Sequence, residues 1–179
     1  MDLQLKGRRA LLTGGSKGIG LAIARQLAAE GCDVVLVARS ITELERAATT
    51  IRGESQSKVS VLSMDLSDRQ AARKIAEAYP HIDILVNNAG AIPRGSLEQI
   101  NDEVLRQAWD VKVFGTMDLC RHYLPLMRAA RKGVILNLVG AAGEMCDPAY
   151  FAGSVGNAAL IALTKTLGSN SIEDGVRVV

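Results

Sequence analysis

The residues best suited to hold a charged ligand lie near the N-terminus, in Thr13-Gly14-Gly15-Ser16-Lys17-Gly18-Ile19-Gly20. Glycines without a Cβ let a backbone turn tightly and approach a phosphate. A helix starting at Gly18 offers the unpaired N–H groups and positive dipole end of its first turn. Gly20 then admits close packing of that helix on the preceding strand. Candidate anion-binding residues are therefore Gly14, Ser16, Lys17, Gly18, Ile19 and Gly20. The spacing is Gly-x-x-x-Gly-x-Gly rather than Gly-x-Gly-x-x-Gly. No Gly-Lys-Ser/Thr follows, which excludes a nucleoside-triphosphatase phosphate loop. A tight turn without a ligand is the alternative reading.

The elements that must position this turn alternate regularly. Aliphatic runs at 8–13, 33–38, 58–63, 82–86 and 133–138 read as strands, and 176–179 reads as the start of a sixth. Between them, 18–30 carries an apolar face at Ile19, Ala22, Ile23 and Leu27. Ser40 with Glu43 three residues on forms a capping box for the next helix. Ser67 caps a helix running through Ala78. A long helix spans about 101–127, and Pro148 precedes a helix over about 150–167. Strand–helix alternation with strands apolar on both sides predicts a doubly wound parallel sheet, three layers deep, with right-handed crossovers.

At 179 residues the chain has the length of one domain. With 21 Lys and Arg against 19 Asp and Glu, it is neither a strongly basic nucleic-acid binder nor an acidic tail. A hydrophobic share of 48% excludes disorder, and 3% aromatics leave Val, Ile, Leu and Ala to build the core. No apolar run reaches the ~20 residues of a membrane span. Residues 1–9 carry no apolar signal region. Cys32, Cys120 and Cys146 lie far apart without metal-ligand spacing, which predicts reduced thiols, a cytoplasmic protein and no metal. His81 and His122 have no partner spacing.

Thr13-Gly14-x-x-x-Gly18-x-Gly20, together with Asn87-Asn88-Ala89-Gly90 after the fourth strand, resembles the short-chain dehydrogenase/reductase family. The resemblance runs from Leu3 to Val179. It implies one NAD(P)-binding Rossmann domain over 1–179, with Asn88, Ala89 and Gly90 in the cofactor site and Asp65, beside Leu66, at the adenine. The family sheet has seven strands, whereas this chain stops inside what reads as the sixth. By that template the rest of strand six, strand seven and the substrate-covering loop are absent, and strand five is left as an uncovered edge. The resemblance also implies a homodimer or homotetramer, with Ala158, Ala159 and Ala162 allowing close helix approach.

NAD-specific members carry an acidic residue at the end of the second strand, but here Ala38 is followed by Arg39 and Ser40. Arg39 suits a planar pairing with a 2′-phosphate, and Lys17 is a second nearby cation. NADP is therefore expected over NAD.

The family's catalytic Asn, Ser, Tyr and Lys fall here on Lys112, Gly140, Gly153 and Asn157. All four are replaced. One reading is a rearranged site for a carbonyl or alcohol substrate, with Lys112 and Asn157 exchanging the Lys and Asn positions. Tyr150, about 60° around the helix from Gly153 and one turn earlier, then serves as proton donor. Lys112 aids it, Asn157 binds the nicotinamide ribose and Ser154 adds a hydroxyl. Gly153 and Gly156 open space beside them. The other reading is a non-catalytic NADP(H)-binding or interaction protein of the same fold.

Overall fold

Two aliphatic runs, β1 (Arg9–Thr13) and β2 (Asp33–Ala38), pair side by side at the centre of the computed structural model, which describes residues 3–179. With β3 (Val59–Ser63), β4 (Ile84–Asn87), β5 (Gly133–Asn137) and β6 (Val176–Val178) they form a parallel sheet in the order β3-β2-β1-β4-β5-β6. Alternate residues face opposite layers because strand side chains repeat every two positions. Leu11, Val35, Leu85 and Ile135 enter one core with Ile75, Leu119 and Tyr123. Ala10, Leu12, Leu36 and Val86 enter the other with Ala24, Leu44 and Ile51. The helices supplying these partners are α1 (Gly18–Ala29) and α2 (Ile41–Glu54) on one side, and α3 (Ala71–Ala78) and α5 (Gly115–Ala129) on the other. The strand order reverses between β1 and β4, where ligands bind in open sheets of this kind, beyond the carboxyl ends of the strands.

The long helix expected over 101–127 is α4 (Asp102–Trp109), one π-helical turn (Asp110–Phe114) and α5. Asn101 caps α4, accepting from the Val104 N–H at 2.9 Å. A π turn holds one extra residue, a local insertion that apolar periodicity does not locate. Ser67 does not cap α3. Its N–H and hydroxyl instead bond to Asp65 Oδ1 at 3.0 and 2.9 Å, and Gln70 stands at the cap. Only half of the Ser40 capping box forms: Ser40 Oγ accepts from the Glu43 N–H at 3.3 Å. The Glu43 carboxylate turns instead to Lys17, 3.6 Å away.

After the short α6 (Ala142–Met145), α7 covers Phe151–Ser171, so Tyr150 precedes the helix rather than opening it. At the other sheet edge, β6 pairs with β5 from Gly133↔Val176 to Ile135↔Val178. Strand five is thus covered, correcting the expectation of an open edge there: three residues after the turn at Gly175 suffice to form the ladder. Among the described residues no helix is long and apolar enough to cross a membrane. Cys32 and Cys120 are buried and Cys146 is exposed. Burial pushes the Cys32 thiol up and the Cys120 thiol to about 11, which keeps both protonated and unreactive near neutrality.

Candidate active site

The pairing of β1 with β4 brings the two loop motifs together. Thr13 Oγ1 accepts from the Asn88 and Ala89 N–H groups at 3.0 and 3.1 Å, and donates to Val86 O at 3.3 Å. Asn88 Nδ2 donates to the carbonyls of Thr13 and Gly14 at 3.0 and 3.2 Å. Gly18 takes a left-handed φ of +57°, which glycine adopts without a steric cost. A Cβ at Gly20 would strike the Gly14 carbonyl and stand 2.6 Å from Asn88 Nδ2. No side chain caps α1 and no acidic residue lies in its first turn. Its positive end is therefore left for an anion.

A cleft of about 640 Å³ opens over this turn. Of the residues singled out from the sequence, Gly14, Ser16, Lys17, Ile19, Arg39, Ser40, Asp65, Leu66, Asn88, Ala89 and Gly90 line it. Gly18 and Gly20 shape the turn without lining it. Glu43 was not anticipated as a wall residue, yet it lines the cleft with Arg39 and pairs with Lys17. A carboxylate is therefore present near the end of β2 after all. Its only sequence signal was its place three residues after the Ser40 cap. Met64, Pro93, Val104 and Val111 add apolar walls.

The second group of candidates is arranged differently from its sequence reading. Lys112 sits in the π turn, buried, and its Nζ donates to Leu138 O at 2.7 Å. Burial pushes its ammonium below the ordinary lysine value. Its stem packs on Gly90, where a Cβ would approach Lys112 Cβ to 2.7 Å. Asn157 is buried as well. Its Oδ1 accepts from the Gly140 N–H at 2.7 Å, and its Nδ2 donates to Gly153 O at 2.8 Å. Lys112 and Asn157 thus grip the same stretch, 138–140, from two helices.

Tyr150 does not share a helix face with Asn157, because its backbone is not helical (φ −138°, ψ 45°). Its ring nevertheless lies on Gly153: a Cβ there would fall on the phenol end, 2.5 Å from Cε2 and closer still to Cζ. The space at Gly153 is therefore filled by Tyr150. That at Gly156 faces Trp109, Ile92 and Val113 and serves helix packing. Lys112, Tyr150, Asn157 and Ser154 do not line the cleft, and Ser154 faces elsewhere. Its hydroxyl donates to Asp147 O at 3.2 Å, and it lines a separate, mostly apolar pocket of about 430 Å³ with Leu97, Phe151 and Val155.

A twisted parallel sheet with helices on both faces and a glycine turn at its switch point is a Rossmann-type dinucleotide-binding fold. The chain belongs to the short-chain dehydrogenase family, whose sequence model matches residues 8–179. It is 34% identical to an uncharacterized oxidoreductase of Mycobacterium tuberculosis, over 97% of this chain and 53% of that protein. It is 33% identical to oxidoreductase UcpA of Escherichia coli K12, over 98% of this chain and 68% of the relative. The chain therefore spans about half the length of the mycobacterial relative. Among solved structures, L-sorbose reductase from Gluconobacter frateurii, complexed with NADPH and L-sorbose, superposes with a TM-score of 0.91 at 32% identity, covering 99% of this chain and 69% of the reductase. NAD+-bound xylitol dehydrogenase superposes at 0.90 with 25% identity, covering 98% and 69%.

Proposed function

We propose that residues 1–179 form a single dinucleotide-binding domain of an NADP(H)-dependent oxidoreductase that exchanges a hydride with a carbonyl or alcohol substrate. The observation that carries this reading is the cleft at the β1–β4 switch point, where residues far apart in sequence meet around an uncapped helix N-terminus. The residues present fit such a cofactor, since no side chain caps α1 and a Cβ at Gly18, in the turn, would meet only open space. The turn from Gly14 to Gly20 would hold the pyrophosphate. Arg39, Lys17 and Ser40 would hold a 2′-phosphate, Asp65 and Leu66 would flank the adenine, and Asn88 to Gly90 would line the inner ribose. When bound, the cofactor supplies or accepts the hydride.

For the proton, the reading uses Tyr150. Its phenol end occupies the volume a side chain at Gly153 would take, which supports a tyrosine relocated by three positions. The Tyr150 hydroxyl donates a proton to the carbonyl oxygen, and in the reverse direction its phenolate accepts one from the alcohol. Lys112 supplies positive charge from the opposite helix while bonded to Leu138 O. Asn157 has a second amide hydrogen with which to reach a ribose hydroxyl. The resemblance that suggested this chemistry also supports a homodimer or homotetramer; Ala159 and Ala162 are exposed on α7.

Parallel titrations with NADPH and NADH, followed by nicotinamide fluorescence, test the cofactor reading. Saturable binding that favours NADPH supports it, and no binding of either removes it. Substrate-dependent NADPH oxidation, abolished by Tyr150→Phe, tests the chemistry.

A further inference from the structure

Two loops close on Tyr150 from different parts of the chain. Arg94, in the loop between β4 and α4, holds its guanidinium carbon 5.4 Å from the centroid of the Tyr150 ring. The same guanidinium donates to Asp147 Oδ2 at 2.7 Å, and Asp147 Oδ1 accepts from the Ala149 N–H at 2.9 Å. The neighbour of Arg94 adds a backbone tie on each side of the tyrosine: Gly95 N donates to Ala149 O at 2.9 Å, and Phe151 N donates to Gly95 O at 3.1 Å. The ring, meanwhile, rests on Gly153. Lys112 and Asn157, the other polar candidates, hydrogen-bond to Leu138, Gly140 and Gly153. The cation placed over the tyrosine is Arg94, from an element to which the sequence assigned no role.

We propose that Arg94, clamped by Asp147, is the positioning residue for Tyr150, holding the phenol in place on Gly153. Tyr150 lies outside α7 and lacks the rigidity of a helical residue, so its ring needs a tertiary clamp. A planar guanidinium suits both tasks, stacking on an aromatic face while forking to a carboxylate. Asp147 sets where Arg94 stands, and the Gly95 ties set where the Tyr150 backbone stands. The inference rests on the reading of Tyr150 as proton donor, which makes its placement matter to the reaction.

The test follows the ring itself. The intact chain is labelled with 13C at the tyrosine Cζ and loaded with NADPH. Its three tyrosines give three signals, and Tyr150→Phe identifies the one of interest. Arg94→Ala is expected to move the Tyr150 signal while leaving those of Tyr79 and Tyr123 in place. It should also speed nitration of Tyr150 about fivefold, the size of an exposed cation–π contact. Arg94→Lys, which keeps the cation but loses the planar guanidinium, is expected to recover only part of the change. Asp147→Asn, which loosens the clamp, should produce a smaller shift in the same direction. In turnover, kcat falls while the KM for NADPH holds, a split that general loosening of the fold would not produce.

A Tyr150 signal and nitration rate unchanged by Arg94→Ala overturn the proposal. Should that variant fail to fold, an unmoved signal in Asp147→Asn overturns it equally. The proton-donor reading fails separately, through wild-type turnover in Tyr150→Phe, and the ring signals do not depend on that outcome.

Discussion

Lys112 donates its ammonium to the carbonyl oxygen of Leu138 at 2.7 Å while only 8% of the residue is exposed. A lysine whose hydrogen bond goes to a neutral carbonyl keeps its charge at a cost, because burial in low dielectric disfavours the ionised form. The π turn of Asp110–Phe114 brings its stem over Gly90 and directs it into the fold.

The contribution of Lys112 to stability should therefore rise with pH in the alkaline range, opposed by Cys32 and Cys120, whose raised thiols cost stability there. The folded protein releases the Lys112 proton below the ordinary value of 10.5, at which the unfolded chain still holds it. Between those two values the unfolded state binds more protons, so raising the pH favours the folded state. Urea unfolding of the wild type and Lys112→Met, across the alkaline range, measures the difference. The wild type gains relative to the variant as pH climbs toward 10.5, and the gain is complete above it.

The glycine turn makes a steric prediction. Gly20→Ala places a methyl against the Gly14 carbonyl and Asn88 Nδ2. Overpacking of that kind costs about 1–3 kcal/mol of stability. The turn must also shift, so dinucleotide affinity should fall about tenfold or more, because backbone donors lose their aim. Thermal unfolding and fluorescence titration check the two effects separately.

Cofactor choice should respond to charge on both sides of the cleft. Arg39→Glu is expected to weaken NADPH binding about tenfold or more, the size of one lost charge-assisted hydrogen bond, and to leave NADH binding nearly unchanged. Glu43→Gln should act oppositely. It removes a carboxylate from the cleft wall and releases Lys17, which now pairs with it at 3.6 Å. NADPH affinity should then rise, and more at low salt than at high salt.

Tyr150 and Gly153 should behave as a pair. Tyr150→Phe removes the proposed acid and should lower kcat about 10²-fold or more, leaving NADPH affinity unchanged. Gly153→Ala keeps the phenol but drives a methyl into its ring. A displaced acid costs up to about 10²-fold, so both variants should show the same signature in steady-state kinetics: reduced kcat with cofactor binding intact.

The layers and sheet were legible because their signals are local. Alternating aliphatic runs such as Asp33–Ala38 mark strands apolar on both sides, and 18–30 shows its helical face within a few turns. The glycine turn announced an anion site for the same reason, since a left-handed φ and a close backbone approach are demands placed on single residues, whereas Asn87–Gly90 pointed to a dinucleotide through the family resemblance. Parallel order then joins the two motifs, since β1 and β4 are neighbours.

The destinations of the side chains needed the tertiary structure. Nothing near Glu43 in sequence says that its carboxylate leaves the cap of α2 for Lys17. Nothing near Tyr150 says that its backbone stops short of α7 while its ring covers Gly153. Arg94 and Asp147 stand 53 residues apart and meet only because two loops leave the same end of neighbouring strands. Where most of the strands and helices run was readable locally, because that depends on near neighbours, while the π turn at Asp110–Phe114 and the short α6 were not. Which charge pairs with which, and which ring fills which glycine's space, was decided by packing between distant segments.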